Sequence, residues 1–490
     1  MPASSSATTR TTASLGTAPQ RQALTIALTS VAFFMVVLDA LVVVTALPSI
    51  HRSIGGSLGT LQWTVNAYSM AFGAGIITAA ALGDRLGRRR VYTAGLALFT
   101  IASAACALAP GVGLLITARS VQGLGAAVIT PLSLTILTSA FPAERRGAIV
   151  GIWGGISGLG VAVGPLIGGA VTQGLSWHWI FWLNVPVGVA AVAGARLRLP
   201  ESRGPRIRLD VPGLVLVSAG AAMLIWALVQ GSQEGWTGTR VLLGLALGAA
   251  LIAVFLAWET RVAEPMIPLG LFRAGGFSAA VAAGFLTGAS IYTAAFLTSQ
   301  YFQLGLHDSP LEAGLRFLPW TATPLLVAPL AGALSDRVGA RVLLVPGLLL
   351  QAAGFAWIVA LAGSPGSYAR YLAPLIIAGV GVSMAIPTAS AAALNAVAPG
   401  SLGKASAIFN TLRQFGAVFG IAIGTAIFNS NGSLVGRAAV TSGYRPAMAA
   451  AAGFSVLGAV VAVAIRRHAA PPSPGGSAAP AIQDRELELR

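Results

Sequence analysis

The sequence of 490 residues contains little charge: Asp, Glu, Lys and Arg together make up 9% of it, and its mean hydropathy is +0.80. Soluble proteins carry about 25% charged residues. With 56% hydrophobic residues as well, the composition excludes a soluble enzyme, a disordered protein and a secreted disulfide scaffold. Cys106 is the single cysteine, so no disulfide can form within the chain. The composition indicates a protein that crosses a membrane many times.

The sequence also lacks the motifs of nucleotide-driven and metal-dependent chemistry. It has no G-x-x-x-x-G-K phosphate-binding loop. Its 4 histidines, at 51, 178, 307 and 468, are scattered and form no cluster with cysteines or acids. We therefore expect no catalytic site, no metal, no nucleotide and no other cofactor.

A net charge of +16 raises the question of a nucleic-acid partner. The basic residues are nearly all arginines, with Lys404 the single lysine, and most lie in short segments between apolar runs. They do not gather on one basic face with stacking aromatic residues. Membrane topology explains this charge better than nucleic-acid binding, and we expect no nucleic-acid partner.

Apolar runs long enough to cross a bilayer, about 20 residues each, recur along the chain. They predict an all-α polytopic protein with fourteen spans, and polar tails at 1–20 and 468–490 that we expect to be disordered. The predicted spans are 24–47, 61–82, 91–109, 113–139, 147–171, 179–195, 211–230, 241–258, 276–301, 311–334, 341–362, 370–394, 404–428 and 446–465.

The distribution of basic residues predicts the orientation, because cytoplasmic loops are enriched in Lys and Arg. With the N-terminus in the cytoplasm, 22 basic residues fall in cytoplasmic segments and 5 in outer loops. Three lie within spans, namely Arg119, Arg316 and Arg413. The asymmetry predicts that both termini are cytoplasmic, and with them an even number of spans.

A short repeat indicates an internal duplication. Residues 81–89 and 333–341 match at six of nine positions, and each copy follows a predicted span on the cytoplasmic side. The first copy follows span 2 and the second follows span 10, so two additional spans must separate two six-helix bundles. We predict bundles at 21–200 and 261–467, joined by a loop and two linker helices at 201–260. Repeated bundles that face each other are typical of secondary transporters.

Several motifs now carry a resemblance to the major facilitator superfamily and to its fourteen-helix drug:proton antiporter branch. The segment Asp84-Arg85-Leu86-Gly87-Arg88-Arg89 resembles the cytoplasmic loop signature of the superfamily. The remaining motifs resemble those of helices one, four, five and six of the branch; they are Leu38-Asp39 with Ala46-Leu47-Pro48, Arg119 with Gln122-Gly123, Gly154 through Gly164-Pro165 and Gly168-Gly169, and Trp177-His178-Trp179-Ile180-Phe181 with Asn184-Val185-Pro186.

Asp39 is the single acidic residue deep within a predicted span. An ionised carboxylate at mid-bilayer is unfavourable by about 2.5–3.5 kcal/mol or more, so it needs a partner, a proton or water. Arg119 within span 4 is the partner we expect if spans 1 and 4 meet. The resemblance implies that this arginine takes part in proton coupling, and the alternative for both residues is a structural salt bridge or hydrogen bond. From the sequence, Asp39→Asn is expected to leave folding nearly intact.

The repeated loop suggests a cytoplasmic gate. Asp84 follows the C-terminal end of span 2, where its charge opposes the dipole of its own helix. We expect Asp84 to lie instead against the N-terminus of a helix in the other bundle, with Asp336 in the mirrored position. The predicted gate residues are Asp84, Arg85, Gly87, Arg88, Asp336, Arg337 and Gly339.

Two further groups of residues complete the predicted site. Small residues let the fifth span pack closely against its neighbours, and the resemblance implies a pliant, leak-tight antiporter helix; these residues are Gly154, Gly158, Gly164, Pro165, Gly168 and Gly169. Polar and aromatic residues in other spans are candidates for a substrate cavity, with interface anchoring or packing as the alternative for the aromatics; they are Trp63, Asn66, Tyr292, Asn410, Arg413 and Gln414.

The resemblance implies a monomeric proton-driven exporter in the cytoplasmic membrane, which exchanges protons for small lipophilic compounds such as drugs or antibiotics. Symport of a nutrient or anion into the cell is an alternative, for which Arg413 is a candidate ligand. A non-transporting sensor or a membrane enzyme is the alternative of another class. The antiporter-like fifth helix argues against uptake, and the scattered histidines argue against an enzyme.

Overall fold

The computed structural model describes residues 18–465, apart from 57, 205–209, 264, 274, 365–366 and 399–400. This part of the chain is helical throughout, with short connections. The predicted C-terminal tail and residues 1–17 lie outside the described residues. The first helix begins at Ala18, so the last three residues of the predicted N-terminal tail are helical.

The helices follow the order of the predicted spans. The first seven are α1 (Ala18–Ile54), α2 (Leu58–Leu86), α3 (Arg88–Ala107), α4 (Val112–Ser139), α5 (Ala143–Gly174), α6 (Trp179–Trp182) and α7 (Asn184–Arg198). The next two form a hairpin and are α8 (Val211–Glu234) and α9 (Thr239–Glu259). The last seven are α10 (Gly275–Gln300), α11 (Pro310–Thr321), α12 (Thr323–Val338), α13 (Ala340–Leu361), α14 (Ala369–Asn395), α15 (Leu402–Asn431) and α16 (Arg437–Ala462).

Length and hydropathy identify the helices that can cross a membrane. Within the described residues, 12 segments are long and apolar enough to cross a membrane, and α2 becomes a thirteenth if its two parts count as one. The 32-residue helix α5 covers the predicted fifth span. The structure therefore confirms a multi-pass helical protein, while the number fourteen stays a prediction.

The repeated loop adopts the same backbone conformation in both halves. Gly87 separates α2 from α3 with φ of 112°, and Gly339 separates α12 from α13 with φ of 87°. Residues with a side chain rarely adopt such positive angles, whereas glycine does so readily. The glycines that the repeat retains are thus the residues that allow the chain to reverse between consecutive helices.

The predicted tenth span is broken into α11 and α12. The two helices meet at Ala322, and prolines lie on both sides of this junction at Pro319 and Pro324. Proline cannot donate a backbone hydrogen bond, and it disfavours helical geometry at the residue before it. The segment Pro310–Ser335 is nevertheless one candidate span, as predicted for 311–334, and the two prolines explain its interruption at Ala322.

The hairpin of α8 and α9 lies at the edge where the two halves meet. Helix α8 contacts α2 of the first half and α15 of the second. Val217, Ala221 and Ile225 of α8 share one buried apolar cluster with Ala74 of α2 and Phe415 of α15. The linker helices thus cover the line along which α2 and α15 pack together.

Candidate functional site

Asp39 lies in α1 and is 2% exposed. Its Oδ2 atom forms an ion pair with Arg119 of α4. Its Oδ1 atom accepts two hydrogen bonds, from Gln122 Nε2 and from Asn184 Nδ2, each 2.9 Å long. Helices α1, α4 and α7 therefore meet at a single carboxylate whose two oxygens are both occupied.

Arg119 is fully buried and makes further contacts with α2. Its Nε donates to the carbonyl oxygen of Thr64 over 3.1 Å, and its guanidinium carbon lies 4.1 Å from the ring centroid of Tyr68. A cation over an aromatic face is stabilised by the ring quadrupole. Nη1 also donates to Gln122 Oε1 over 2.8 Å. Arg119 thus ties α2 and α4 to the carboxylate of α1.

The chemistry of this cluster follows from its charges. Asp39 and Arg119 together are neutral, and arginine does not lose its proton in proteins. Loss of the charge on Asp39 would remove the partner of a buried guanidinium. Removing one member of a buried ion pair is unfavourable by about 3–5 kcal/mol. The charge of Asp39 is thus strongly linked to the packing of α1 against α4.

The ion pair between Asp39 and Arg119 confirms the partnership expected from the sequence. The sequence analysis includes Gln122 and Asn184 only as members of motifs. It does not predict that both side chains donate to Asp39. The available signal was two amides within otherwise apolar helices, since buried amides require hydrogen-bond partners.

One end of the interface between the halves is closed by contacts of α1 with the end of α10 and the π-helical turn Tyr301–Gly305. Ser299 Oγ donates to the carbonyl oxygen of Val44 over 3.0 Å. Gln303 Nε2 donates to the carbonyl oxygen of Thr45 over 2.8 Å. These bonds join the two halves near the C-terminal part of α1.

Helix α5 closes the same end against α11. A Cβ atom on Gly169 would collide with the Pro310 carbonyl oxygen, and one on Gly314 would collide with the Pro165 carbonyl oxygen. The backbone of Leu311 also donates to Gln173 Oε1 over 3.1 Å. Backbones approach this closely only because both helices present glycine.

The other glycines predicted in α5 divide between two neighbours. Gly164 and Gly168 pack against α1, where an added Cβ would meet Leu41 and Thr45. A Cβ on Gly158 would lie 3.3 Å from Leu325 of α12, across the interface between the halves. Gly154 is helical, and its surroundings lie outside what the structure describes. Helix α5 thus packs closely both within its own half and against the other half.

The predicted gate is arranged differently from the expectation. Arg88 Nη2 lies 2.8 Å from Asp84 Oδ1, and the backbone of Gly204 donates to the Asp84 carbonyl oxygen over 3.1 Å. In the described residues, the hydrogen bonds and ion pairs of Asp84 include no helix of the other bundle. Arg88, the first residue of α3, pairs with this carboxylate across the turn at Gly87, and the loop after α7 covers it.

The structure gives less evidence on whether the other predicted gate residues act as a gate. Arg85 and Arg337 are both exposed, which agrees with anchoring at the membrane surface as well as with a gate. The side chain of Asp336 lies outside the described residues. The role of this group as a gate stays a prediction.

The cavity candidates in α2 and α10 occupy different environments. Trp63 packs against the cluster that contains α8, and Tyr292 packs against the cluster at the closed end. Asn66 is fully buried, and neither of its amide atoms has a hydrogen-bond partner in the described structure. The two aromatic residues thus contact apolar clusters, whereas Asn66 has unused hydrogen-bonding capacity.

The cavity candidates in α15 lie close together. Asn410 Nδ2 donates within its own helix to Ser406, over 2.9 Å. Gln414 is 2% exposed, and its Oε1 has no hydrogen-bond partner in the described structure. Arg413 is half-buried, and within the described residues it has neither an ion pair nor a hydrogen bond.

A small apolar cavity of about 60 Å³ lies between the halves. Residues from α1, α5, α10, α11, α12 and α14 line it, and the predicted cavity candidates are not among them; the lining includes Leu41, Val44, Val161, Ile291, Phe317 and Trp320. The lining suits a lipophilic group, although this volume is too small for a drug-sized molecule.

Comparison with known families settles what kind of protein this is. A model of the Major Facilitator Superfamily matches residues 29–212 and 280–488. The chain belongs to the Major Facilitator Superfamily. It is therefore a multi-pass membrane transporter rather than an enzyme, as the sequence motifs indicated.

Curated relatives from this superfamily resemble the chain over most of its length. Multidrug resistance protein Stp of Mycobacterium tuberculosis is 36% identical over 82% of this chain and 75% of its own length. The methylenomycin A resistance protein of Streptomyces coelicolor is 34% identical over 81% and 84% of the two chains. The puromycin resistance protein of Streptomyces alboniger is 34% identical over 87% and 88%.

Solved structures support the same fold at low sequence identity. The crystal structure of a POT family transporter in complex with 5-aminolevulinic acid superposes with a TM-score of 0.68 and 15% identity, covering 92% of this chain and 97% of that one. The human organic anion transporter MFSD10 gives a TM-score of 0.59 and 17% identity, covering 90% and 99%. These likenesses establish the superfamily fold.

Proposed function

We propose that this superfamily member is a proton-coupled antiporter that exports small lipophilic compounds across the cytoplasmic membrane by alternating access. The names of the relatives support export, since they describe resistance to or export of antibiotics such as methylenomycin A, puromycin and cephamycin. The single observation that carries proton coupling is the buried ion pair of Asp39 and Arg119.

The coupling step follows from the geometry of that pair. In the structure, Asp39 is held by Arg119, Gln122 and Asn184. A proton that reaches Asp39 neutralises it and frees Arg119, which then needs water or another anion. That change favours a different packing of α1 against α4, and the return of the ion pair releases the proton.

The predicted orientation indicates on which side of the membrane the closed end lies. With cytoplasmic termini, as the loop charges predict, α1 ends and α11 begins at the outer surface. The contacts of Gly169 with Pro310 and of Gln303 with Thr45 then seal the outer side. The arrangement corresponds to a state in which substrate is loaded from the inside. The gate residues around Asp84 and Asp336 would act on the opposite, cytoplasmic side.

The proposed transporter is a monomer with fourteen helical spans. Two six-helix bundles at 21–200 and 261–467 flank the linker hairpin at 201–260. The family model matches two segments and leaves out 213–279, which contains all of α9 and nearly all of α8. This interruption supports an insertion of two helices between the bundles.

The test of export is a resistance profile of cells with and without the protein, across diverse dyes and antibiotics. We expect raised tolerance to several lipophilic compounds, and Asp39→Asn should remove that tolerance at equal membrane abundance. Wild-type tolerance with Asp39→Asn would refute the coupling role. Unchanged tolerance to every compound would refute export itself.

The test of coupling is reconstitution in liposomes with independent control of pH and potential. One proton exchanged for one monovalent cation moves no net charge, whereas one charge moved across 100 mV is worth about 2.3 kcal/mol. We expect efflux of a monocationic dye to follow the pH gradient and to be nearly insensitive to potential. Strong export driven by potential at equal pH would contradict a single proton site.

A further inference from the structure

Arg413 differs from the other two arginines that lie within predicted spans, because no described residue provides it with an anionic partner. Arg119 is paired with Asp39, and Arg316 Nη1 lies 2.7 Å from Asp308 Oδ2. Arg413 forms no ion pair with any described residue. Asp39 is the single acid deep in a predicted span, and Arg119 already occupies it. The chain thus offers Arg413 no counter-charge at its own depth in the membrane.

The packing of α15 indicates where this charge can be solvated. Thr411 Oγ1 donates to the Gly73 carbonyl of α2 over 2.9 Å, and Gly416 and Gly420 lie against the backbone of α10. Helix α8 covers the outward side of α15. Gln414 lies against Gly73 of α2, and the Arg413 carbonyl lies against Gly288 of α10, so this part of α15 lies beside one helix of each half.

A cation at this position must find water or an anion. Arginine stays charged, and an unpaired charge at mid-membrane is strongly unfavourable. A guanidinium forms two parallel hydrogen bonds with a carboxylate, a geometry that gives both strength and specificity. The next residue, Gln414, is buried and presents an Oε1 atom without a partner. Arg413 and Gln414 therefore offer a donor fork beside an acceptor.

We propose that Arg413 binds a carboxylate on the exported compound, while Gln414 Oε1 accepts a hydrogen bond from a neighbouring hydroxyl or amide of it. The inference rests on the proposed export function and narrows it to lipophilic compounds that carry an acidic group. The charges of Asp39 and Arg119 cancel because the two residues form an ion pair. Arg413 therefore gives the substrate space a net positive charge. A compound with a free carboxylate is therefore favoured there over the same compound with that carboxylate masked.

The test uses rhodamine B, which carries a free carboxylate, and rhodamine B ethyl ester, in which that carboxylate is masked. Binding of each dye to the purified full-length protein is measured by fluorescence anisotropy. We expect the wild type to bind rhodamine B at least tenfold more tightly than the ester. Arg413→Gln should abolish this preference, and Arg413→Lys should retain part of it.

Controls separate this inference from the proposed function. Arg437→Gln removes an arginine at the exposed start of α16 and should leave the preference unchanged. Thermal unfolding of each variant checks that it is folded. Equal binding of the two dyes by the wild type, preference for the ester, binding of neither dye, or an unchanged preference in Arg413→Gln would overturn the carboxylate site. Export itself is judged separately, from the resistance profile of cells that express the wild type.

Discussion

Gln122 and Asn184 donate to the same oxygen of Asp39, each over 2.9 Å, although they come from different helices. The other oxygen of Asp39 is left for Arg119. Asn184 also donates to Ser103 Oγ over 3.1 Å, which ties α3 to the same network. Any change at Asp39 is therefore transmitted to several helices of the first half at once.

The first prediction concerns the stability of the ion pair. Asp39→Asn leaves Arg119 buried without a counter-charge, so we expect the unfolding free energy to fall by about 3–5 kcal/mol. The double variant Asp39→Asn with Arg119→Gln should recover much of that loss, because neither charge then remains. Thermal unfolding in detergent measures both. A double variant no more stable than Asp39→Asn would contradict the charge explanation. Both variants should lack proton-driven efflux, because both lack the carboxylate of Asp39.

A second prediction concerns the close approach of α5 and α11. Gly169→Ala places a methyl group against the Pro310 carbonyl oxygen, so the closed end should open and efflux should fall at least tenfold. Gly155→Ala is the matched control, because nothing lies within 4 Å of its added Cβ. Distances between spin labels at the end of α5 and the start of α11 should lengthen in Gly169→Ala alone. Unchanged distances in that variant would rule out the mechanism.

A third prediction concerns pH. Burial raises the pKa of Asp308 to about 6, while the guanidinium of Arg316 acts in the opposite direction. Glu312 raises this pKa further, and His307 lowers it. The folded protein thus holds this proton more tightly than the unfolded chain, whose value is 3.8, so stability should fall as pH rises from about 4 to about 6.

Unfolding temperatures between pH 4 and 7 test this behaviour of Asp308. Asp308→Asn should flatten the part of the profile between pH 4 and 6, because the titrating group is gone. Glu312→Gln, at an exposed position of the same segment, should reduce the slope without removing it, because Glu312 raises the pKa of Asp308. A profile for Asp308→Asn identical to that of the wild type would assign the slope to another group.

A fourth prediction concerns Asp84 at the predicted gate. The pair of Asp84 and Arg88 is partly exposed, at 21% and 17%, so Asp84→Asn should lower stability by no more than about 1 kcal/mol. Turnover should nevertheless slow, with little change in substrate affinity, if the carboxylate stabilises one state of the cycle. Glu201→Gln removes a neighbouring ion pair and provides the comparison. Equal turnover by Asp84→Asn and the wild type would exclude a gating role.

Much of the architecture could be predicted because its signals lie in short stretches of sequence. Hydropathy indicates the spans, loop charge the orientation, and the repeated loop the duplication. The two copies of the repeated loop both turn the chain between helices, at Gly87 and Gly339, and Asp39 meets Arg119 as expected. The contacts of Gln122 and Asn184 could not be predicted, because 145 residues separate Asn184 from Asp39 and many polar side chains compete for one carboxylate.

Two other differences have identifiable causes. The break between α11 and α12 was signalled by Pro319 and Pro324, yet the apolar run continues through it. The expectation that Asp39→Asn would leave folding intact considered only the removal of a carboxylate. The structure changes that expectation, because the cation left behind is fully buried.

The hairpin of α8 and α9 covers one flank of the interface between the two halves and leaves the opposite flank uncovered. Because α8 lies over α2 and α15, hydrocarbon chains are kept away from the line along which those helices meet. Among the described helices, none outside the two bundles crosses the opposite line, where α5 meets α11 and α12. If the exported compound enters sideways from the bilayer, this arrangement leaves the flank of α5, α11 and α12 as its route.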